Sequence, residues 1–428
     1  MDERPDVTPP HEPSVWRARL RSVAIDISPL RDHPDFRRLW FATTFSSTGA
    51  HITGVAIAFQ IYELTGSPLA VGLIGLVELI PLFTLSFVGG ALADSMDRRK
   101  LLMITESVGV ACAGGLALNS VLSEPQVWLI YVITAAYASV YALGSPAQRS
   151  ATPLLVPQES ITAAAAVNSM YHNFSAIIGP SIGGVLIAVI GLEGAYAVDV
   201  ASFLLAIAFI ARVKPMARSG DSERLQLRTI FDGIRFLKGR AVLQGSFIVD
   251  LNAMIFGMPE ALFPAFADAL GGGPGVLGLM YAAPSAGALI ASLTSGWTSK
   301  IRRQGVVVYL AVIGWGASLA IFGLSKTLWL SLVMLAFAGA ADMISGIFRT
   351  AILQTAAPPE MLGRLHGLEL AVVASGPSLG NLEAGALASF SSVRFSTVFG
   401  GFACIVGVGV MSMLLPQFAR YDASDPSP

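Results

Sequence analysis

The chain has 428 residues, of which 54% are hydrophobic and only 13% are charged. A soluble domain carries about 25% charged residues, so this chain has too much apolar surface to fold in water. Its net charge is −1, and its basic runs are short and border apolar segments. A nucleic-acid-binding protein needs an exposed basic face, so that class is excluded. The composition predicts an integral membrane protein whose surroundings are the lipid bilayer.

Two cysteines, Cys112 and Cys404, each lie inside an apolar run. Neither has a second Cys or a His at the spacing of metal ligands, so the sequence predicts no metal site, disulfide or cofactor. Two buried thiols are expected instead. The first 36 residues are polar and contain Arg, unlike a removable signal peptide, so the first span is expected to direct insertion.

Twelve apolar runs are long enough to cross a bilayer, which takes about 20 residues of helix. In chain order they cover residues 38–62, 69–92, 100–121, 127–146, 163–190, 194–212, 243–267, 275–298, 304–323, 328–348, 365–390 and 396–415. The fifth and eleventh runs contain Gly-Pro, so we expect kinks or tilt there. The predicted fold class is an all-α integral membrane protein with twelve transmembrane helices.

Lys and Arg are distributed unevenly between the predicted loops. Of the 27 positive residues, only Lys326 and Arg394 lie in the loops on one side. Cytoplasmic loops carry the excess of positive charge, so both termini are predicted to be cytoplasmic. The predicted localisation is the cell membrane, a bacterial plasma or inner membrane.

Two segments outside the spans, 15–27 and 225–243, have apolar residues at helical spacing beside Arg residues. Such segments are typical of amphipathic helices that lie in the membrane interface. The predicted organisation is a cytoplasmic N-terminal segment (1–36), an N-terminal six-helix bundle (37–213), a cytoplasmic linker (214–241), a C-terminal six-helix bundle (242–418) and a cytoplasmic tail (419–428).

The two halves of the chain carry similar residues in the same order. The sequence GPSIGG at 179–184 returns as GPSLGN at 376–381, and Arg149 returns as Arg349. The basic pair 98–99 after the second span is matched by 302–303 after the eighth. Internal duplication explains this order best, and it predicts two pseudo-symmetric bundles.

Residues 89–100, GGALADSMDRRK, resemble the signature loop of the major facilitator superfamily, G-x-x-x-D-R-x-G-R-R-[KR]. The matching positions are Gly90, Asp94, Arg98 and Arg99. The resemblance implies the major facilitator fold, a monomer, and a role for these four residues in gating. Ser95 and Asp97 depart from the pattern, so the role of the Arg that Ser95 replaces cannot be transferred.

The fifth span is similar to the motif that marks antiporters in this superfamily. The matching residues are Gly179, Pro180, Gly183 and Gly184. Small residues at this spacing let a helix pack closely on its neighbour and limit leakage across the membrane. The resemblance favours efflux.

Segments 36–38, 60–67 and 70–73 resemble the siderophore-exporter branch of the drug/proton antiporters. The resemblance covers nearly the whole chain and implies a small-molecule substrate and protons as partners. Macrolide and multidrug exporters share much of this frame, so a multidrug or macrolide efflux pump stays open as an alternative. A lysophospholipid flippase is a third interpretation.

Ionisable residues at membrane depth are costly and are therefore candidates for function. In the implied fold, spans one, four, seven and ten line the central cavity. Candidates for proton coupling or substrate binding are Asp342, Asp250, Glu78, Glu383 and His51. Carboxyl groups shielded from water can exchange protons near neutral pH, which a proton-driven antiporter needs. Asp199 and Glu106, on outer spans, are expected to be structural.

The sequence therefore predicts a secondary active efflux transporter. In this interpretation it works by proton-coupled antiport and alternating access, and it exports a siderophore or a similarly amphipathic compound. An ATP-driven pump needs G-x-x-x-x-G-K-[ST], and a hydrolase needs a motif such as H-E-x-x-H or G-x-S-x-G. The ATPase motif and H-E-x-x-H do not occur, and G-x-S-x-G occurs only within the two apolar Gly-Pro segments, at 179–183 and 376–380, so the chain is not expected to be an enzyme.

Overall fold

The computed structural model describes residues 26–216 and 234–422. Within those ranges the regular elements are helical, and twelve helices run between two faces of the molecule. In chain order they are α1 (Pro34–Thr65), α2 (Pro68–Ser95), α3 (Arg98–Ser120), α4 (Val127–Leu155), α5 (161–190), α6 (192–210), α7 (Ala241–Ala269), α8 (Gly273–Leu293), α9 (Gln304–Leu324), α10 (Leu328–Ala356), α11 (Pro359–Phe390) and α12 (Val393–Leu414). Short helices, Ser28–Asp32 and Pro416–Arg420, flank this set.

Nine helical runs of the described ranges are long and apolar enough to cross a membrane, and one of them, Gln158–Ile210, contains both α5 and α6. The remaining two helices, α1 and α11, carry more polar residues. The predicted all-helical membrane architecture is confirmed. Several helices are longer than the apolar runs that predicted them. α4 continues to Leu155 and α10 to Ala356, because a helix can extend beyond the hydrocarbon layer of the membrane.

The turn between α1 and α2 shows how local sequence sets the helix ends. Gly66 ends α1 in the left-handed conformation, with φ of 61°. Ser67 then caps α2 by accepting a hydrogen bond from the backbone N–H of Ala70, at 3.3 Å. Pro68 follows at the first helical position, where its missing N–H costs nothing. A Gly-Ser-Pro sequence therefore makes a tight reversal.

α5 and α6 follow each other without a loop. The run Ile161–Ile210 reverses at Gly191, whose φ of 77° lies in the left-handed region. A side chain there would be strained and would meet the carboxylate of Glu193. One glycine thus turns α6 back antiparallel to α5, and both helices pack along α1.

α7 is interrupted near its middle, whereas the sequence predicted one continuous span over 243–267. The helix Ala241–Phe256 ends at Gly257, a 3-10 turn occupies Glu260–Leu262, and a short helix Phe263–Ala269 completes the span. Trp315 of α9 donates a hydrogen bond to the freed carbonyl of Gly257, at 3.0 Å. Irregular backbone at membrane depth is tolerated where protein groups satisfy it in this way.

The helices form two bundles, α1–α6 and α7–α12, joined across a seam. The seam consists of α2 packed on α11 and α5 packed on α8. Glycines let the backbones approach closely: a Cβ on Gly72 would lie 2.6 Å from the carbonyl oxygen of Asn381, and Gly184 lies against Gly278 with no room for a side chain on either.

The seam is closed at only one face of the molecule. We call the end at which α1 begins and α12 ends the terminal face, and the other end the opposite face. At the opposite face one continuous core joins residues of both bundles, including Ile57, Ile187, Leu277 and Ala384. At the terminal face each bundle has cores of its own. The described bundles are therefore packed together at the opposite face and separate at the terminal face.

The two predicted amphipathic helices lie mostly outside the described residues, over 15–25 and 225–233. The division into segments 1–36, 37–213, 214–241, 242–418 and 419–428 stays a prediction.

Candidate functional site

Two carboxyl groups meet at the seam from opposite bundles. Glu78 lies on α2, one turn beyond Gly75, whose backbone packs on that of Ser378 in α11. Glu260 lies on the 3-10 turn of α7. α2 contacts this turn directly, and the negative charges of Glu78 and Glu260 are within electrostatic range of each other. Because each bundle contributes one carboxyl, the pair is sensitive to the relative position of the bundles.

The Glu260 turn is held by neighbouring helices. Asn381 of α11 accepts a hydrogen bond from the N–H of Ala261, at 2.9 Å, and its side chain also bonds the Glu260 carboxyl. Tyr281 of α8 donates its hydroxyl to the backbone carbonyl of Glu260, at 3.1 Å. These bonds fix the turn that carries Glu260 against α8 and α11.

Asp342 shares a cavity with Glu260. The cavity has a volume of about 180 Å³ and lies inside the C-terminal bundle, between α7, α8, α9 and α10. Trp315, Leu319 and Leu335 form part of its apolar wall. Among the described residues Asp342 has no hydrogen-bond or ion-pair partner. An ionisable group without a partner at membrane depth is a candidate for function.

Asp250 forms an ion pair with Arg349, and both side chains are buried between α7 and α10. The charge of Glu369 on α11 also interacts with Arg349. A carboxyl oxygen of Glu369 lies 3.0 Å from Nδ1 of His366. The predicted tenth span ended at residue 348, just before Arg349. The helix α10 instead continues to Ala356 and carries Arg349 into the bundle.

Asp199 is at the centre of a hydroxyl network in the N-terminal bundle. Its carboxylate accepts hydrogen bonds from Thr53 of α1 at 2.5 Å, Tyr137 of α4 at 2.7 Å and Ser202 of α6 at 3.0 Å. Asp199 is fully buried. Because Asp199 accepts three hydrogen bonds and so links α1, α4 and α6, the network indicates a structural role. The sequence suggested the same role from its position on an outer span. Glu106 of α3 lies beside this network.

The two remaining candidates lie away from the seam acids. His51 of α1 packs on Gly179 of α5 and is within electrostatic range of His172. Glu383 of α11 lies toward α12, where its charge acts on Cys404. Among the candidates from the sequence, the structure therefore places Glu78 beside Glu260 and Asp342 in the cavity with Glu260, and it leaves His51, Asp250 and Glu383 separate.

The residues of the antiporter-like motif divide between two contacts. Gly179 and Gly183 pack on His51 and Ile52 of α1 within the bundle. Pro180 and Gly184 face Gly278 of α8 across the seam. The motif thus holds α5 against helices of both bundles.

The signature loop connects α2, α3 and the end of α6. Arg98 is buried and donates from Nε to Ser150 of α4, at 2.8 Å, and Arg99 donates to the carbonyl of Ala211, at 2.5 Å. Gly90 has open space around it, whereas Gly89 packs on the backbone of α4. Asp94 lies in the last turn of α2.

Asp97, which departs from the signature, has two structural contacts. Its carboxylate caps α3 by accepting the N–H of Arg99 at 2.9 Å, and it also accepts the N–H of Met216 at 3.2 Å. The departure therefore ties the signature loop to the end of the N-terminal bundle.

Glu260 is not among the candidates that the sequence singled out. Glu260 sits between Pro259 and Pro264, after Gly257, and this cluster of helix breakers within an apolar run was an available signal.

A protein-family model described as "Transmembrane secretion effector" matches residues 24–428. Among curated proteins, the enterobactin exporter EntS of Escherichia coli O139:H28 is 29% identical over 407 residues, which covers 95% of this chain and 98% of the exporter. The EntS protein of Citrobacter koseri is 28% identical over 408 residues, with the same coverage.

Solved structures with similar folds are transporters. The nucleoside transporter NupG superimposes with a TM-score of 0.70 at 10% identity and covers 90% of this chain and 98% of its own. A bacterial homologue of the human lysosomal transporter Spinster, in an inward-facing and unoccupied conformation, gives 0.69 at 14% identity, covering 93% and 98%. A bacterial homologue of ferroportin, in an inward-facing state, gives 0.66 at 14% identity, covering 90% and 98%.

Proposed function

Because this chain belongs to the transmembrane secretion effector family of the major facilitator superfamily, we propose that it exports a siderophore or a similarly amphipathic small molecule in exchange for protons. The observation that carries this proposal is the similarity to enterobactin exporters over 95% of the chain. A similarity of that extent includes both bundles, the seam and the linker between them, and thus the whole transport machinery.

The proposed mechanism is alternating access by a monomer with both termini in the cytoplasm. With this topology the terminal face is cytoplasmic, and the separate cores at that face correspond to an inward-facing state. Substrate enters between the bundles from the cytoplasm. The bundles then rock, so that the seam opens at the opposite face and releases the substrate outside.

Proton coupling is supported by the unpaired carboxyl groups of the site. Glu78, Glu260 and Asp342 are ionisable groups at membrane depth without a basic partner among the described residues. Asp250 is less suited to carry protons in this state because Arg349 already neutralises it. No covalent step is part of the cycle.

The test uses inside-out vesicles that hold a proton gradient. A catecholate siderophore, a macrolide and a lipophilic cation are added in turn, and loss of the gradient is measured with the wild type and with Asp342→Asn. Glu124→Gln, a change in an exposed loop at the opposite face, is the matched control and is expected to behave as wild type.

Loss of the gradient with the siderophore alone, abolished by Asp342→Asn, supports the proposal. Loss of the gradient with many unrelated compounds would show a multidrug efflux pump instead of a siderophore exporter. No response to any compound, from protein that is folded and inserted, overturns proton antiport.

A further inference from the structure

At the closed seam, α2 contacts the 3-10 turn of α7, and each of these two elements carries one carboxyl group. Glu78 comes from the N-terminal bundle and Glu260 from the C-terminal bundle, and their charges interact. Both residues are only partly exposed, and like charges that are partly removed from water repel each other. A contact between the bundles that brings the pair together is therefore favoured when at least one of the two carries a proton.

We propose that Glu78 and Glu260 form a proton-operated latch, which keeps the bundles closed at the opposite face while the pair holds a proton and releases them when it is lost. The inference rests on the proposed proton antiport and assigns it to these two residues. Glu78 follows Gly72 and Gly75 along α2, and the backbone at both glycines packs on α11. The latch therefore lies next to the close contact between α2 and α11.

The surroundings of the pair contain no group that could replace the proton. From α8, Tyr281 lies near both carboxyls, and from α10, Asp342 shares the cavity of Glu260. From α4, Tyr131 is engaged with the carbonyl of Ala70, at 2.6 Å. Asn381 of α11 is uncharged. Among the described residues no Lys, Arg or His acts on either carboxyl.

The cavity next to Glu260 provides a route for the proton. Glu260 and Asp342 both line this cavity, which lies inside the C-terminal bundle. In the proposed topology the pair takes up a proton from outside water while the seam is open, and the seam then closes. The proton leaves through the cavity and Asp342 toward the cytoplasm. The two carboxylates then repel each other and favour reopening, which carries bound substrate outward.

The test measures the seam directly, without substrate. Leu64 at the end of α1 and Phe390 at the end of α11 are exposed, lie at the opposite face and belong to different bundles. Leu64→Cys and Phe390→Cys allow two spin labels, and Cys112 and Cys404 are buried and do not compete. The distance between the labels is measured by pulsed electron paramagnetic resonance at about pH 5 and about pH 8, which bracket carboxyl titration in proteins.

In the otherwise unchanged protein, the population with separated labels is expected to rise roughly fivefold or more from the lower to the higher pH. Glu78→Gln and Glu260→Gln remove the repulsion and are expected to keep the labels close at both pH values. Glu78→Lys places a positive charge beside Glu260 and is expected to do the same. Glu106→Gln, which removes a membrane carboxyl of the N-terminal bundle away from the seam, should leave the pH response intact.

Several results would overturn the latch. They are a label distance that ignores pH in the parent protein, an unchanged pH response in both Gln variants, and loss of the response in Glu106→Gln alone. If the seam ignores pH while siderophore-driven proton flux persists, the latch is wrong and the proposed function stands. If the seam responds to pH but no compound drives proton flux, the latch is supported and the proposed antiport is wrong.

Discussion

Asp250 and Arg349 form an ion pair in which only 4% and 8% of the two residues are exposed. The pair joins α7 to α10 inside the C-terminal bundle, near its core at the terminal face. Removing one member of such a pair leaves a buried charge without a partner, which is far less favourable than removing both.

We therefore expect Asp250→Leu to lower stability by about 3–5 kcal/mol, and the double variant Asp250→Leu, Arg349→Met to recover most of that loss. Thermal unfolding in detergent checks this, with Arg349→Met as the reciprocal single change. Equal melting temperatures for the wild type and both single variants would contradict a stabilising pair.

The contact between Gly184 and Gly278 sets how closely the bundles approach. A larger side chain at either position meets backbone atoms that cannot move without separating α5 from α8. We expect Gly278→Leu to weaken closure at the opposite face by about 1–3 kcal/mol, as overpacking of a tight contact does. The measurement is labelling of Leu64→Cys and Phe390→Cys by spin probes, as for the latch.

The matched control for this contact lies on the same helix. Gly275→Ala adds a Cβ into open space, so the label distance should not change. If Gly278→Leu leaves the distance unchanged as well, the glycine contact does not control the seam.

From the hydrogen bonds of Asp199 we expect that replacing this residue lowers the stability of the protein and not its transport activity. Asp199→Ala leaves the hydroxyls of Thr53 and Tyr137 without their acceptor in a buried site, whereas Ser202 can still donate to the backbone carbonyl of residue 199. Each unsatisfied buried group costs about 1–3 kcal/mol. We expect a lower melting temperature, with transport per folded molecule retained, as measured by flux normalised to monodisperse protein. Normal stability with lost transport would instead indicate a functional carboxyl.

Replacing Asp97, which caps α3, is expected to lower stability less than replacing Asp199. Asp97→Ala removes the acceptor for the N–H groups of Arg99 and Met216, and loss of an N-cap costs about 0.5–2 kcal/mol. Asp97→Asn keeps a capping oxygen and should unfold close to the wild-type temperature. Identical melting temperatures for the Ala and Asn variants would show that the cap is not needed.

Length, apolar runs and loop motifs were enough to predict the class of this protein. The twelve-helix membrane architecture, the major facilitator family and the siderophore-exporter resemblance were all read from the sequence, and the family and fold are confirmed. These features are local or periodic: a span needs only apolar residues in sequence, and the GPSIGG motif of α5 is itself a packing surface.

The pairing of charges depended on the tertiary structure. Asp250 and Arg349 are 99 residues apart along the chain, and the predicted tenth span ended before Arg349 because the apolar run is shorter than the helix. Glu78 meets Glu260 only because α2 and the broken turn of α7 come from opposite bundles and converge at one seam. Contacts between distant segments depend on how the helices pack against one another. The residue pattern along a single helix does not determine that packing, so it cannot predict these contacts.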